Sequence, residues 1–192
     1  LDENDIPMCG VPAHSYEFYL EKLIKSGFKV AVCEQLETPE QAKKRGYKAV
    51  VKREVVRIIT PGTLFEDTLL NARESNYLAA VALHDGKIST AWVEISTGEF
   101  YISNSSSATL LADLSRLQPK EVIIADKLFQ DDKIKQSLEI FAKNLSVRAN
   151  VTFELERSRA RIKSFFNVST VDAIGNFNEN EVCVIGGLLE YL

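Results

Sequence analysis

Carboxylates, thiols and imidazoles are the side chains from which a reaction could be built, and this sequence scatters them. A two-metal nuclease needs several acids converging on two ions held roughly 4 Å apart. The apolar run Asn76–Leu83 carries no acid, Glu94 lies in the next run, and Asp126 ends a third. Two scattered acids do not make a site, and capping or solvent-facing roles suit them better. Cys9 followed by His14 could pair a thiol nucleophile with a base, yet nothing in the sequence orients the two. No G-x-x-x-x-G-K-S/T phosphate loop occurs; the one Gly-Lys pair, Gly86-Lys87, sits in a turn. No G-x-S-x-G elbow is present for a serine hydrolase. Cys9, Cys33 and Cys183 are far apart, and His14 and His84 are the only histidines. That spacing excludes a disulfide framework, a paired-cysteine zinc site and a multi-histidine centre. The expectation is therefore no catalytic residue, no metal and no cofactor in these residues.

Binding is better supplied. Residues 36–57 carry Lys43, Lys44, Arg45, Lys48, Lys52, Arg53 and Arg57 against Glu37, Glu40 and Glu54. Residues 64–192 instead carry 13 basic and 18 acidic side chains. The overall net charge of −4 thus hides a local cationic stretch. Such a stretch is either a solvated face or a surface for a polyanion. Ahead of it lies Ile6-Pro7-Met8-Cys9-Gly10-Val11-Pro12-Ala13-His14, a loop that its prolines and glycine keep out of regular structure. It runs into a helix start, where free N–H groups and the helix dipole favour an anion such as a DNA phosphate.

These residues need elements to position them. Ser15 is an N-cap candidate for a helix whose Tyr16, Tyr19, Leu20, Leu23 and Ile24 fall on one face, ended at Gly27. Phe28–Cys33 reads as a buried strand. Thr38-Pro39 opens a short helix that stops at Gly46. Val50–Thr60 reads as a strand with mixed faces, and Thr60-Pro61-Gly62-Thr63 as a turn. A domain boundary is placed there, giving domains 1–63 and 64–192. In the second, Asn76–His84, Lys87–Ser96 and Gly98–Ser103 form a meander, with Asp85-Gly86 as a hairpin turn. Ser105–Ser107 caps a helix bearing Leu110, Leu111, Leu114 and Leu117. Glu121–Ala125 is a buried strand, and Asp131 or Asp132 caps a helix with Ile134, Leu138 and Phe141 inward. Ser146–Phe153 reads as a strand. Leu155, Ser158, Ile162, Phe165 and Phe166 line a further helix, and Val182–Leu192 forms the last. The fold class is α/β: a small mixed α/β domain, then a mixed sheet with helices on its faces in the ribonuclease H-like order.

Composition agrees. The 45% apolar and 26% charged residues are those of a globular chain rather than a disordered one. No run of about 18 uncharged apolar residues exists to span a membrane. The acidic opening Leu1-Asp2-Glu3-Asn4-Asp5 is unlike a secretory leader, and the missing initiator Met suggests an excised piece. A reduced, cytoplasmic compartment is expected.

Several of these residues also carry a family likeness. Ile6 to Ser15, then Tyr19-Leu20, Val30-Ala31-Val32-Cys33-Glu34-Gln35-Leu36 and Arg53-Glu54-Val55-Val56-Arg57-Ile58-Ile59-Thr60-Pro61-Gly62-Thr63 occur in order. Leu69-Leu70, Asn76-Tyr77-Leu78-Ala79-Ala80 and Glu94-Ile95-Ser96-Thr97-Gly98-Glu99-Phe100 continue the series. Together they resemble the bacterial MutS family of DNA mismatch-repair proteins. The resemblance implies the later part of a mismatch-recognition domain, followed by a catalytically inert, ribonuclease H-like connector. It implies that Met8, Cys9, Gly10, Val11 and Pro12 approach the minor groove and backbone of DNA. On the same grounds His14 holds that loop or touches phosphate, and Arg53 contacts phosphate. It implies a surface for the partner MutL on the helix with Arg157, Arg161 and Lys163, where Arg157/Arg161 and Arg159/Lys163 form two i, i+4 stripes. This chain has Ala160-Arg161 where the family is richer in amides. The family's Phe-x-Glu wedge belongs upstream of residue 6, and Tyr16-Glu17-Phe18 is not it. ATP and Mg²⁺ belong to an ATPase domain beyond residue 192, and the parent is expected to be a homodimer near the bacterial nucleoid. Two rival readings remain: a metal-dependent nuclease on the same fold, and a pure protein-interaction scaffold.

Overall fold

The computed structural model describes residues 8–64 and 74–192. Ile6, Pro7, Leu69 and Leu70 lie outside the described residues. Contacts divide the chain into two units, one ending at Thr60 and one running from Pro61 to Leu192.

In the first unit, an exposed loop leads into a 3-10 turn, Ala13–Ser15, and then α1, Tyr16–Lys25. Ser15 precedes the helix, but its hydroxyl bonds no helix N–H, contrary to the capping expectation. The 3-10 turn is the reason. The Ser15 N–H is tied to Pro12 O at 2.9 Å, and its backbone (φ −102°, ψ 7°) lacks the extended shape that a side-chain cap requires. The other end follows the sequence: Gly27 adopts φ +84°, its N–H meets Ile24 O at 2.9 Å, and Phe28 N–H meets Leu23 O at 3.0 Å. That is a Schellman closure.

β1 (Val30–Gln35) and β2 (Arg53–Ile59) form a two-stranded antiparallel sheet, Val30 opposite Ile59 and Gln35 opposite Arg53. Between them α2, Pro39–Arg45, is closed by a full capping box of Thr38 and Gln41. The expected buried strand at Phe28–Cys33 is corrected here. The strand starts at Val30, most of it is exposed, and Phe28, Val55, Val56 and Ile58 are each at least half exposed. A pair of strands gives its residues no second layer to hide under. Leu20, Ile24, Ala42 and Ile59 are the side chains buried in these elements.

The second unit is built on a five-stranded sheet. Its strands are β3 (Tyr77–His84), β4 (Lys87–Glu94), β5 (Glu99–Ser105), β6 (Glu121–Ala125) and β7 (Leu145–Arg148), in the spatial order β5-β4-β3-β6-β7. The β3–β4–β5 meander is antiparallel, whereas β6 runs parallel to β3, and β7 to β6. Asp85 (φ +46°) and Gly86 (φ +74°) close the β3–β4 hairpin, the left-handed pair that a two-residue loop demands. Helices α3 (Leu110–Leu117), α4 (Asp126–Phe129), α5 (Asp132–Ser137), α6 (Leu155–Phe166) and α7 (Glu179–Tyr191) complete the unit. Ser106 and Thr109 bond reciprocally ahead of α3, and Asp131 caps α5. Leu110 and Leu114 of α3 and Val184 and Leu188 of α7 share one core with Leu78, Val81 and Ile123 of the sheet. Near-complete burial of β3 and β6 on both faces follows from helices covering the sheet.

Three expectations change. The strand expected over 146–153 ends at Arg148, and Asn150–Phe153 is a 3-10 turn that buries Thr152 and Phe153. The last helix starts at Glu179 rather than Val182, because Asn178 and Glu181 make a capping box that apolar periodicity does not register. Phe165 and Phe166 are exposed and pack edge to face on each other; only Ser158 and Ile162 of α6 are buried.

Candidate nucleic-acid interface

The Met8–Pro12 segment turns its side chains to solvent. Met8 is 98% exposed and Val11 45%, so neither is a core residue. A Cβ on Gly10 would meet nothing within 4 Å, so that glycine is not required by packing. Cys9 and His14 are also exposed, and among the described residues no hydrogen bond joins them. The thiol-nucleophile reading therefore has no geometric support.

The cationic stretch is organised by one carboxylate. Glu37 Oε1 accepts the Lys52 N–H at 2.7 Å and binds the Arg45 guanidinium, whose Nη2 also donates to Val50 O at 3.1 Å. Leu36 N–H meets Lys52 O at 3.0 Å. The Lys52 N–H, with Arg45 beside it, holds the Glu37 carboxyl below its usual value. Thus residues 46–52 are clamped against the end of β1, and Arg45 is spent on that clamp. Lys52 Nζ pairs with Glu54 at 2.6 Å. Lys43, Lys44, Lys48 and Arg53 carry no ion pair among the described residues and are exposed. Four uncompensated cations in the same unit as the exposed loop can neutralise phosphates and release their counterions.

The α6 surface divides unevenly. Arg157 pairs with Glu154 at 3.2 Å, and Lys163 is exposed. Arg161 is not part of an exposed stripe, which corrects the expectation. Its Nη1 donates to Gly186 O at 2.7 Å and Thr152 O at 3.1 Å, and its Nη2 binds Glu190. Arg161 therefore joins α6 to α7. Close approach of the two helices at Gly186 turns the guanidinium inward, and sequence spacing could not show that.

The acids of the nuclease reading are kept apart. Glu94 faces Tyr77 at one end of β3 and accepts the Asn76 N–H at 3.2 Å. Asp126 follows β6, whose Ile124 lies opposite Val81, so it falls level with the other end of β3. Six residues of strand, about 20 Å, separate them. Asp126 instead accepts the N–H groups of Lys127 and Asn150 at 2.7 and 3.1 Å.

Comparison with known proteins bears on what this arrangement is for. The family model of MutS domain I matches residues 1–68, and that of MutS domain II matches residues 76–192. The chain is 45% identical over 188 residues to the DNA mismatch repair protein MutS of Wolbachia pipientis wMel, covering 98% of this chain and 22% of that protein. It is 46% identical over 190 residues to the MutS of Ehrlichia chaffeensis, covering 99% and 24% respectively. The chain belongs to the MutS family. It spans about a quarter of the length of these curated relatives. Within MutS terms, the exposed loop and the free cations lie in domain I, and the five-stranded sheet in domain II. Phe177-Asn178-Glu179 has the letters of the family's wedge but opens α7 in domain II, where Asn178 caps the helix and Glu179 lies 3.6 Å from Arg159. Among the described residues no helix is long and apolar enough to cross a membrane.

The cysteines give a check on this architecture. Cys9 and Cys33 are exposed, whereas Cys183 is buried, and burial, with Glu179 nearby, pushes its thiol up to about 11. Native protein treated with iodoacetamide at pH 8 should take up two labels quickly and the third only in denaturant. Mass spectrometry showing rapid labelling of Cys183 would contradict the α7 packing.

Proposed function

We propose that this chain is the DNA- and partner-contacting part of a mismatch-repair protein. The parent binds mispaired or looped duplex DNA and signals to MutL in an ATP-dependent way. It discriminates because a mispaired step costs less to kink and unstack than a paired one. This chain contributes backbone contacts through Met8, Cys9, Gly10, Val11, Pro12, His14 and Arg53. Its ribonuclease H-like second domain acts as an inert relay, with Arg157 and Lys163 on a surface for MutL, and Arg161 supporting that helix from behind. The observation that carries the reading is the MutS domain I match falling on a bare loop and four uncompensated cations.

Fluorescence anisotropy of the 192-residue chain at low salt tests it. Weak binding is expected, with a steep salt dependence and little preference for a G·T heteroduplex over homoduplex, because residues 1–68 carry no Phe-x-Glu. Arg53→Ala should weaken binding equally on both duplexes and reduce the slope of log affinity against log salt by about one. Unchanged affinity would remove Arg53 from the contact set, and absence of any salt-dependent binding would favour the protein-scaffold reading. Cleavage of DNA with Mg²⁺ or Mn²⁺ that disappears in Asp126→Ala would favour the nuclease.

A further inference from the structure

At one end of the domain II sheet, three side chains from two distant segments aim their donor atoms at a common point. His84 ends β3, Asp85 is the first turn residue after it, and Glu179 is the first residue of α7. His84 Nε2 lies 3.5 Å from Glu179 Oε2 and 3.8 Å from Asp85 Oδ2, and all three donor atoms lie within 4.8 Å of one another. These separations are too long for N–H···O hydrogen bonds, which fall at 2.7–3.2 Å. Among the described residues the His84 ring makes no hydrogen bond. The two separations from His84 Nε2 are instead close to the edge of a tetrahedron around a metal ion. Bonds of 2.0–2.1 Å to nitrogen and oxygen place neighbouring ligands about 3.4 Å apart.

We propose that His84, Asp85 and Glu179 form a binding site for a divalent transition-metal ion of the zinc type. One imidazole nitrogen and two carboxylate oxygens are a donor set that zinc accepts, with water completing the fourth position. Each ligand rides on fixed backbone. Asp85 is held in the left-handed turn at φ +46°, His84 closes the hairpin opposite Lys87, and Glu179 starts a helix locked by the Asn178–Glu181 capping box. Arg159 Nη2 lies 3.6 Å from Glu179 Oε1, an ion pair on the oxygen that does not face His84. The ion would pin the β3–β4 turn to the first turn of α7 and so stabilise domain II by an amount that grows with the logarithm of its concentration. The site is independent of the DNA-binding reading.

Isothermal titration of the 192-residue chain with ZnCl₂ tests the proposal. It is run in a Cys9→Ser, Cys33→Ser background, because exposed thiols compete for zinc. One ion per chain is expected, with a rise in the melting temperature. His84→Ala and Asp85→Asn should each weaken binding by about tenfold or more. Asn tolerates the left-handed turn, so the second variant keeps the hairpin. Co²⁺ should give a spectrum of nitrogen and oxygen ligation without a thiolate charge-transfer band. No saturable binding, affinity unchanged in both variants, or a thiolate band pointing to Cys183 would each overturn the site.

Discussion

Gly186→Ala should destabilise domain II by about 3 kcal/mol or more, although alanine is the better helix former by about 1 kcal/mol. A Cβ at 186 would stand 2.3 Å from Ser158 Cβ and 2.5 Å from Ser158 Cα. The second of these atoms is backbone, so no rotamer change relieves the clash and α6 must move off α7. Overpacking of this kind costs roughly 1–3 kcal/mol. Separation also breaks the bond from Arg161 Nη1 to Gly186 O, and a bond from a charged donor contributes about 1.5–3 kcal/mol. It loosens the cluster of Ile162, Val171, Val182, Ile185 and Leu189 as well. Urea unfolding followed at Trp92, the one tryptophan in the sequence and a residue of the domain II sheet, reads the effect directly. Gly187→Ala is the graded comparison. Its Cβ would meet the Phe153 ring at 2.2 Å, but a ring is a side chain and can shift. A Gly186→Ala variant as stable as the parent, or more so, would show that the two helices are not in close contact.

What the sequence revealed and what it hid divide along physical lines. Thr38, Asp131, Gly27 and Asp85-Gly86 were legible because each signal is local, a cap or a turn completed within five residues of chain. The β3–β4–β5 meander of domain II was legible because tight turns force it. Burial was harder. Phe28, Val55, Phe165 and Phe166 are apolar and correctly spaced, yet periodicity says which residues share a face and not whether anything covers it. Arg161 was read as surface for the converse reason: a charged residue at i, i+4 looks solvated until a glycine on another helix lets the backbone carbonyl come within reach. His84 and Glu179 could not be paired from sequence at all, since only the fold brings the hairpin tip to the start of α7. In domain I the structure places Met8 and Val11 in solvent, which their apolar side chains alone do not reveal.

Glu121→Ala should cost domain II about 3–5 kcal/mol, because this carboxylate is buried and its partners come from three separate parts of the unit. Only 1% of Glu121 is exposed, at the first position of β6 in the interior of the sheet. It accepts the Ser146 hydroxyl from β7, the Tyr191 hydroxyl from the last turn of α7 at 2.6 Å, and the Gly62 N–H at 3.3 Å. Truncation to alanine leaves a cavity and removes the acceptor that these groups share, among them Ser146, only 5% exposed. Each hydrogen bond lost to a charged group costs about 1.5–3 kcal/mol. Gly62 is committed to this contact, since a Cβ there would stand 2.7 Å from Glu121 Cβ and 2.8 Å from Leu78 Cδ1. The turn that opens the second structural unit is thus seated on the same carboxylate that holds the end of its final helix. Tyr191→Phe removes one donor and keeps the ring, so about 1–2 kcal/mol is expected. Glu121→Gln keeps the shape and can still accept from two of the three donors, so it should fall between the other two. A double-mutant cycle of Glu121→Ala with Tyr191→Phe should return a coupling of at least 0.5 kcal/mol. If Glu121→Ala melts with the parent protein, or the cycle is additive, the carboxylate does not tie the turn at Gly62 to the end of α7.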